Sequence, residues 1–110
     1  YLPGMADPSY AASKAAVCRY AETLNNKLED VPVFLFSPGL VKTEMTSWVR
    51  DDAPWTPPEC APNLVRKLAT GRYDALAGRY LHAEHSDLDD LLARIDEVRE
   101  RDLQAIRLQR

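Results

Sequence analysis

The sequence predicts an α/β domain with a parallel sheet, and three observations carry that prediction. Apolar residues recur at helical spacing in three separate stretches. Two short apolar runs lie between them, and the resulting order is helix, strand, helix, strand, helix. A chain of 110 residues with 45% apolar content makes one globular domain at most, or a piece of one.

The first helix is expected over residues 9 to 28, where Asp7 or Ser9 can serve as the cap and Pro8 is tolerated near the first turn. Ala12, Ala15, Ala16, Ala21 and Leu24 are strong helix formers. So many alanines also narrow the helix, which lets another backbone approach closely. In "VPVFLFSPG" residues 31 to 37 read as a buried strand that ends at a Ser-Pro-Gly break. Residues 40 to 58 mix polar groups with three prolines and two tryptophans, the composition of a long loop that covers a site as a lid.

Thr56 and Glu59 form a capping-box signature for a helix over residues 57 to 70. Its apolar face is Ala61, Leu64, Val65 and Leu68, and Gly71 is a natural terminator. Residues 78 to 82 of "GRYLHA" make the second short strand. Ser86 or Asp87 then opens a helix over residues 87 to 100, with Leu88, Leu91, Leu92, Ile95 and Val98 at helical spacing. Its acids crowd the first turn and its arginines the last, which complements the helix dipole. Leu103, Ile106 and Leu108 punctuate a charged C-terminal tail expected to pack along the domain or against a partner.

Val33 to Phe36 is apolar on both faces, as a central parallel strand is, and such strands need neighbours and covering helices. Two strands do not supply them. The expectation is a fragment of a larger sheet, or a chain completed by another.

Composition sets further limits. A net charge of −3 with mixed signs along the chain offers no phosphate-tracking stripe, so no nucleic-acid partner is expected. No basic-then-apolar leader and no apolar run of bilayer length occurs, which leads to the expectation of a cytoplasmic protein without a membrane partner. Cys18 and Cys60 lack Cys-x-x-Cys spacing and read as reduced, buried thiols. His82 and His85, with Glu84 and Asp87, match no zincin spacing and read as solvated loop residues, so no metal is expected.

The stretch "PSYAASKAAVCRYAETL" sets Tyr10 four residues ahead of Lys14, so the phenol and the ammonium share one face of the first helix. A free tyrosine titrates near about 10, and its use as a proton carrier near neutral pH asks for roughly 4 kcal/mol. One positive charge at about 4 Å supplies roughly that at an effective dielectric of about 20, but only about 1 kcal/mol in bulk water. The pair therefore works as a catalytic unit only in a dry cleft. Outside such a cleft, the same two residues are a half-buried ring beside a solvated charge.

"YAASKAAV" followed, one helix and one buried strand later, by "SPGLVKTEM" resembles the classical short-chain dehydrogenase/reductase family. The resemblance covers most of the chain. It implies the C-terminal half of a Rossmann-like doubly wound parallel sheet, with the N-terminal half absent, and an oxidoreductase that passes hydride between NAD or NADP and an alcohol or ketone. Residues 9 to 28 would be the active-site helix and residues 40 to 58 the lid. Tyr10 would be the general acid/base. Lys14 would favour the phenolate and hold the nicotinamide ribose hydroxyls. Pro38 and Gly39 would shape the turn under the nicotinamide, the Val41 backbone would meet the carboxamide, and Thr43 would bond the carboxamide or the pyrophosphate.

The family's glycine-rich dinucleotide loop, its coenzyme-selecting residue, its structural asparagine and its catalytic serine all precede the tyrosine, and none lies within this sequence. Ser9 and Ser13 are no substitutes, since Ser9 is placed to cap the helix and Ser13 points away from the Tyr10 face. The 110 residues alone are accordingly expected to be inactive, and the intact enzyme to be a homo-oligomer built on the small-residue helix face. Met45, Trp48, Val49 and Trp55 either line a substrate pocket under the lid or anchor it by packing. The alternative reading is a noncatalytic, truncated relative that serves as an interaction or scaffold piece.

Overall fold

A computed structural model describes residues 7–107. Its first helix, α1 (Pro8–Lys27), starts at Asp7, whose carboxylate accepts the Ser9 and Tyr10 amides at 2.8 and 3.4 Å. Those bonds hold the Asp7 carboxyl below its ordinary range. Ser9, the other candidate cap, instead donates its hydroxyl to Asp7. The alanine-rich face is less covered than expected, because Ala21 is the only buried residue of α1.

Strand β1 (Leu35–Ser37) is shorter than the expected residues 31 to 37. Pro32 has no amide to give a ladder, and Val33 is held from two sides. Its amide donates to Asn25 Oδ1 on α1 at 3.0 Å, and its carbonyl accepts the Gly78 amide at 2.8 Å. Strand β2 (Tyr80–His82) runs parallel to β1, with Leu35 opposite Tyr80, Phe36 opposite Leu81 and Ser37 opposite His82.

The alternation of a strand then divides the side chains between two faces. Leu35 and Tyr80 face α1, where they share a cleft of about 230 Å³ with Ala15 and Cys18. Phe36 and Leu81 face the other way, into a core of Leu64, Leu68, Tyr73, Leu76, Leu88, Leu91 and Val98. Leu76, Leu81 and Val98 are fully buried there. The chain is thus a mixed α/β arrangement with helices on both faces of a small parallel sheet.

Helix α2 (Cys60–Leu68) supplies Leu64 and Leu68 to that core. The capping box expected to open it does not form. Glu59 makes no side-chain cap bond, and the Thr56 hydroxyl turns away to Glu84. The helix expected over residues 87 to 100 is two helices, α3 (Leu88–Ala93) and α4 (Ile95–Glu100). Arg94 breaks it with φ −104° and ψ 27°, while its guanidinium bridges Asp90 at 2.7 Å and Glu97 at 3.1 Å. The segment beyond the break carries Val98 into the core and packs Leu103 against it.

Asp102 and Gln104 adopt positive φ, so the tail doubles back along β2. The Tyr80 amide donates to the Gln104 carbonyl at 2.8 Å, which covers the outer edge of that strand. Arg79 bonds Asp102 at 2.6 Å, and Arg107 ties the tail to Glu22 of α1 at 3.0 Å. Of the tail's apolar residues, Leu103 is packed, Ile106 is exposed, and Leu108 lies outside the described residues.

The other side of the sheet differs. The Val33 and Ser37 carbonyls face β2, accepting the Gly78 and Ala83 amides, so by alternation the Phe34 and Phe36 backbones face the opposite edge. Among the described residues no strand pairs there.

Candidate functional site

Helix α1 and strand β1 run in opposite directions, since Asn25 near the end of the helix meets Val33 just before the strand. About 16 Å of helix separates Asn25 from Lys14 at 1.5 Å per residue. About 16 Å of extended chain separates Val33 from Pro38 at 3.3 Å per residue. By these rises Lys14 and Pro38 are about equally far, each along its own segment, from the Asn25–Val33 contact. The antiparallel run therefore brings the Tyr-Lys pair and the Pro-Gly turn toward the same end of the sheet, the carboxyl end where α/β folds take ligands.

The Lys14 ammonium lies 5.3 Å from the centroid of the Tyr10 ring, so the two side chains do share a face. The charge sits over the ring rather than on the hydroxyl. Tyr10 is 49% exposed, and the water-poor cleft that proton transfer by a phenol requires is not built by the described residues. Ser13 turns its hydroxyl back to the Tyr10 carbonyl at 2.7 Å.

The turn after β1 is sharply defined. The Gly39 amide donates to Ser37 Oγ at 3.2 Å, and Gly39 takes φ +84°. A side chain there would be strained and would also strike Thr56, because a Cβ would stand 2.1 Å from Thr56 Oγ1. Beyond the turn, Val41 accepts the Thr46 hydroxyl at 2.8 Å. Thr43 caps a 3-10 turn at Glu44–Thr46, with its amide on Thr46 Oγ1 at 2.8 Å. The Thr43 hydroxyl also lies 3.3 Å from the Thr46 hydroxyl, so this residue is committed to the lid's own structure as well as being exposed.

Within the lid, Lys42 pairs with Asp51 at 3.0 Å and stands 5.2 Å from the Trp55 ring, whose Nε1 donates to the Asp51 carbonyl at 3.0 Å. Val49 and Trp55 are half-buried, which fits anchoring. Met45 and Trp48 point outward, at 73% and 66% exposure.

Sequence reasoning missed two contributors to this end of the sheet. Local pattern marks Thr56 as a helix cap and Glu84 as a loop residue, yet the two meet at 2.9 Å beyond the carboxyl ends of the strands. Their separation along the chain left no local signal. Beside them, His82 Nδ1 accepts the Glu84 and His85 amides at 3.2 and 3.3 Å, and the two imidazoles stack at 4.4 Å. Burial, with His85 adding to it, keeps the His82 imidazole below its ordinary range.

No protein-family model, curated protein or solved structure matches the chain. No helix of the described residues is long and apolar enough to cross a membrane.

Proposed function

We propose that the chain is the C-terminal part of an oxidoreductase of the short-chain dehydrogenase/reductase type, acting with NAD or NADP on an alcohol or ketone. The observations that support this reading are the Tyr10–Lys14 contact on α1 and the glycine turn that closes the carboxyl end of β1. Tyr10 gives or takes the proton at the substrate oxygen. Lys14 keeps positive charge beside the phenol and binds ribose hydroxyls. The side-chain-free Gly39 lets a flat ring approach the turn, and the Val41 amide is the polar group left to meet a carboxamide, since its carbonyl already serves Thr46.

These residues fit the nicotinamide end of a dinucleotide. They do not supply a pyrophosphate cradle, because the chain's four glycines include no closely spaced set. When bound, the nicotinamide supplies or accepts the hydride. The Rossmann-like sheet belongs to this proposal too: the unpaired edge of β1 and the exposed Tyr10 are where further strands would complete both sheet and cleft, from an adjoining segment or a second chain.

The test has two arms. The 110 residues, assayed with both nicotinamides and a panel of secondary alcohols, should show little or no turnover. A polypeptide that also carries a glycine-rich dinucleotide half should oxidise or reduce one of the panel and lose that rate on Tyr10→Phe. Robust activity of the short chain would refute the missing half, and an unaffected Tyr10→Phe variant would refute the role of the phenol.

A second reading is supported by the exposure of Tyr10, Val17 and Tyr20 along α1, with Ala21 alone buried. In that case the chain is a noncatalytic piece that presents this helix to a partner. Tyr10→Phe separates the two, because a scaffold keeps its partner while an enzyme loses its rate.

A further inference from the structure

Thr56 is a polar residue with only 4% of its surface exposed, and it touches two segments, the turn after β1 and the loop after β2. Its amide donates to the Leu40 carbonyl at 2.8 Å, closing residues 41 to 55 into a loop with joined ends. Its side chain fills the space beside Gly39, leaving no room for a Cβ there. Its hydroxyl donates to Glu84 Oε2 at 2.9 Å, and the Glu84 amide in turn donates to His82 Nδ1 at the end of β2. One threonine thus links the turn after β1, the return of the lid and the loop after β2.

We propose that Thr56, oriented by Glu84, is a positioning residue that sets the backbone of the Pro38–Val41 turn and through it the affinity for the nicotinamide end of the coenzyme. The ligand in this inference rests on the dehydrogenase reading above; the clamp itself does not. The physical case is direct. A glycine at positive φ is free to leave that conformation unless something abuts it, and here the abutting group is fixed by a hydrogen bond to a carboxylate, about twice as strong as a neutral one. A buried hydroxyl also has to keep its acceptor, so Glu84 holds the threonine rotamer that holds the turn. Leu40 and Thr56 join the two ends of the lid, within which Lys42 pairs with Asp51 and Trp55 Nε1 donates to the Asp51 carbonyl.

The experiment uses the 110-residue chain and three variants: Thr56→Val, which removes the hydroxyl at nearly constant volume, Thr56→Ser, which restores it, and Glu84→Ala. Backbone amide exchange and chemical shifts are recorded on the short chain without nucleotide, and the same changes are then carried in the polypeptide that also includes a glycine-rich dinucleotide half, during titration with NADH and with NADPH. We expect Thr56→Val and Glu84→Ala to speed exchange at the Thr56 amide about tenfold, to shift the Gly39 and Val41 amides, and to weaken nucleotide-induced shifts there by a similar factor. Thr56→Ser should return all three toward the parent.

Unchanged Gly39 and Val41 amides in Thr56→Val and Glu84→Ala would overturn the clamp. Should Thr56→Val fail to fold, Glu84→Ala against Thr56→Ser decides the same question. A polypeptide carrying the dinucleotide half whose Gly39 and Val41 amides respond to neither nucleotide would overturn the coenzyme-facing half of the proposal together with the dehydrogenase reading, while the exchange data on the short chain would still judge the clamp.

Discussion

Asn25 accepts the Val33 amide at 3.0 Å, and this bond ties the end of α1 to the chain entering β1. The same side chain abuts Gly78, where a Cβ would stand 3.0 Å from Asn25 Nδ2. Since α1 buries little else than Ala21, its docking depends on few contacts. Asn25→Ala should leave a part-buried amide without its acceptor and cost about 1–2 kcal/mol. Asn25→Asp keeps an acceptor and should cost less. Urea denaturation monitored by circular dichroism measures both, and equal stabilities for the parent and Asn25→Ala would remove this contact as the anchor.

Two glycines at similar positive φ should respond differently to alanine. At Gly39 the added carbon meets Thr56 at 2.1 Å, whereas at Gly71 the nearest group is the Asp74 carboxylate at 3.7 Å. Gly71→Ala therefore carries only the conformational penalty, about 1 kcal/mol. Gly39→Ala adds a steric clash with a buried residue and should cost about 2–3 kcal/mol or more. Thermal melts of the two variants check the order, and a Gly39→Ala chain as stable as Gly71→Ala would contradict the packing of Thr56 on the turn.

The core has a narrow margin. Leu81 is fully buried at the centre of β2, packed with residues from α2, α3 and α4. Leu81→Ala should lose about 2–5 kcal/mol, a large share of the stability a small domain possesses. A chain that keeps its cooperative unfolding and midpoint after this change would show that the core is organised elsewhere.

Acid should loosen the loop after β2. Burial and the neighbouring His85 hold His82 below its ordinary value of 6.5, so the unfolded chain binds the His82 proton more readily than the folded one. Stability from this group is complete above pH 6.5 and falls as pH drops through the lowered folded value, because the unfolded state then carries more protons. Protonation also removes the acceptor used by the Glu84 and His85 amides. His82→Asn places a non-titrating oxygen near the Nδ1 position, and should flatten the stability profile as pH falls below 6.5. A variant that keeps the parent's slope would place that slope on other groups.

Much of the secondary structure was legible in the sequence, and the exceptions share a cause. The apolar spacing of Leu64 and Leu68, of Leu88 and Leu91, and of Val98 marked residues that the core does bury, because periodicity reports a face and a face needs no knowledge of partners. The Thr56–Glu59 capping box failed because a distant carboxylate, Glu84, competes for the threonine hydroxyl. The single C-terminal helix failed at Arg94 because pattern alone does not see that the tail doubles back over β2. For the candidate site, the sequence placed Tyr10 and Lys14 on one face, but the exposure of Tyr10 depends on what surrounds the helix, which no local signal encodes.

One feature of β1 bears on how this chain behaves in solution. Pro32, Phe34, Phe36 and Pro38 share the parity that faces the unpaired side of the strand. Only the two phenylalanines have amide hydrogens to offer there, and a proline closes the row at either end. Copies meeting edge to edge would find a ladder two rungs long, too short to propagate a fibril. The prolines limit pairing along this edge, and replacing Pro32 or Pro38 with valine should lengthen the ladder it offers and raise its tendency to pair with like strands.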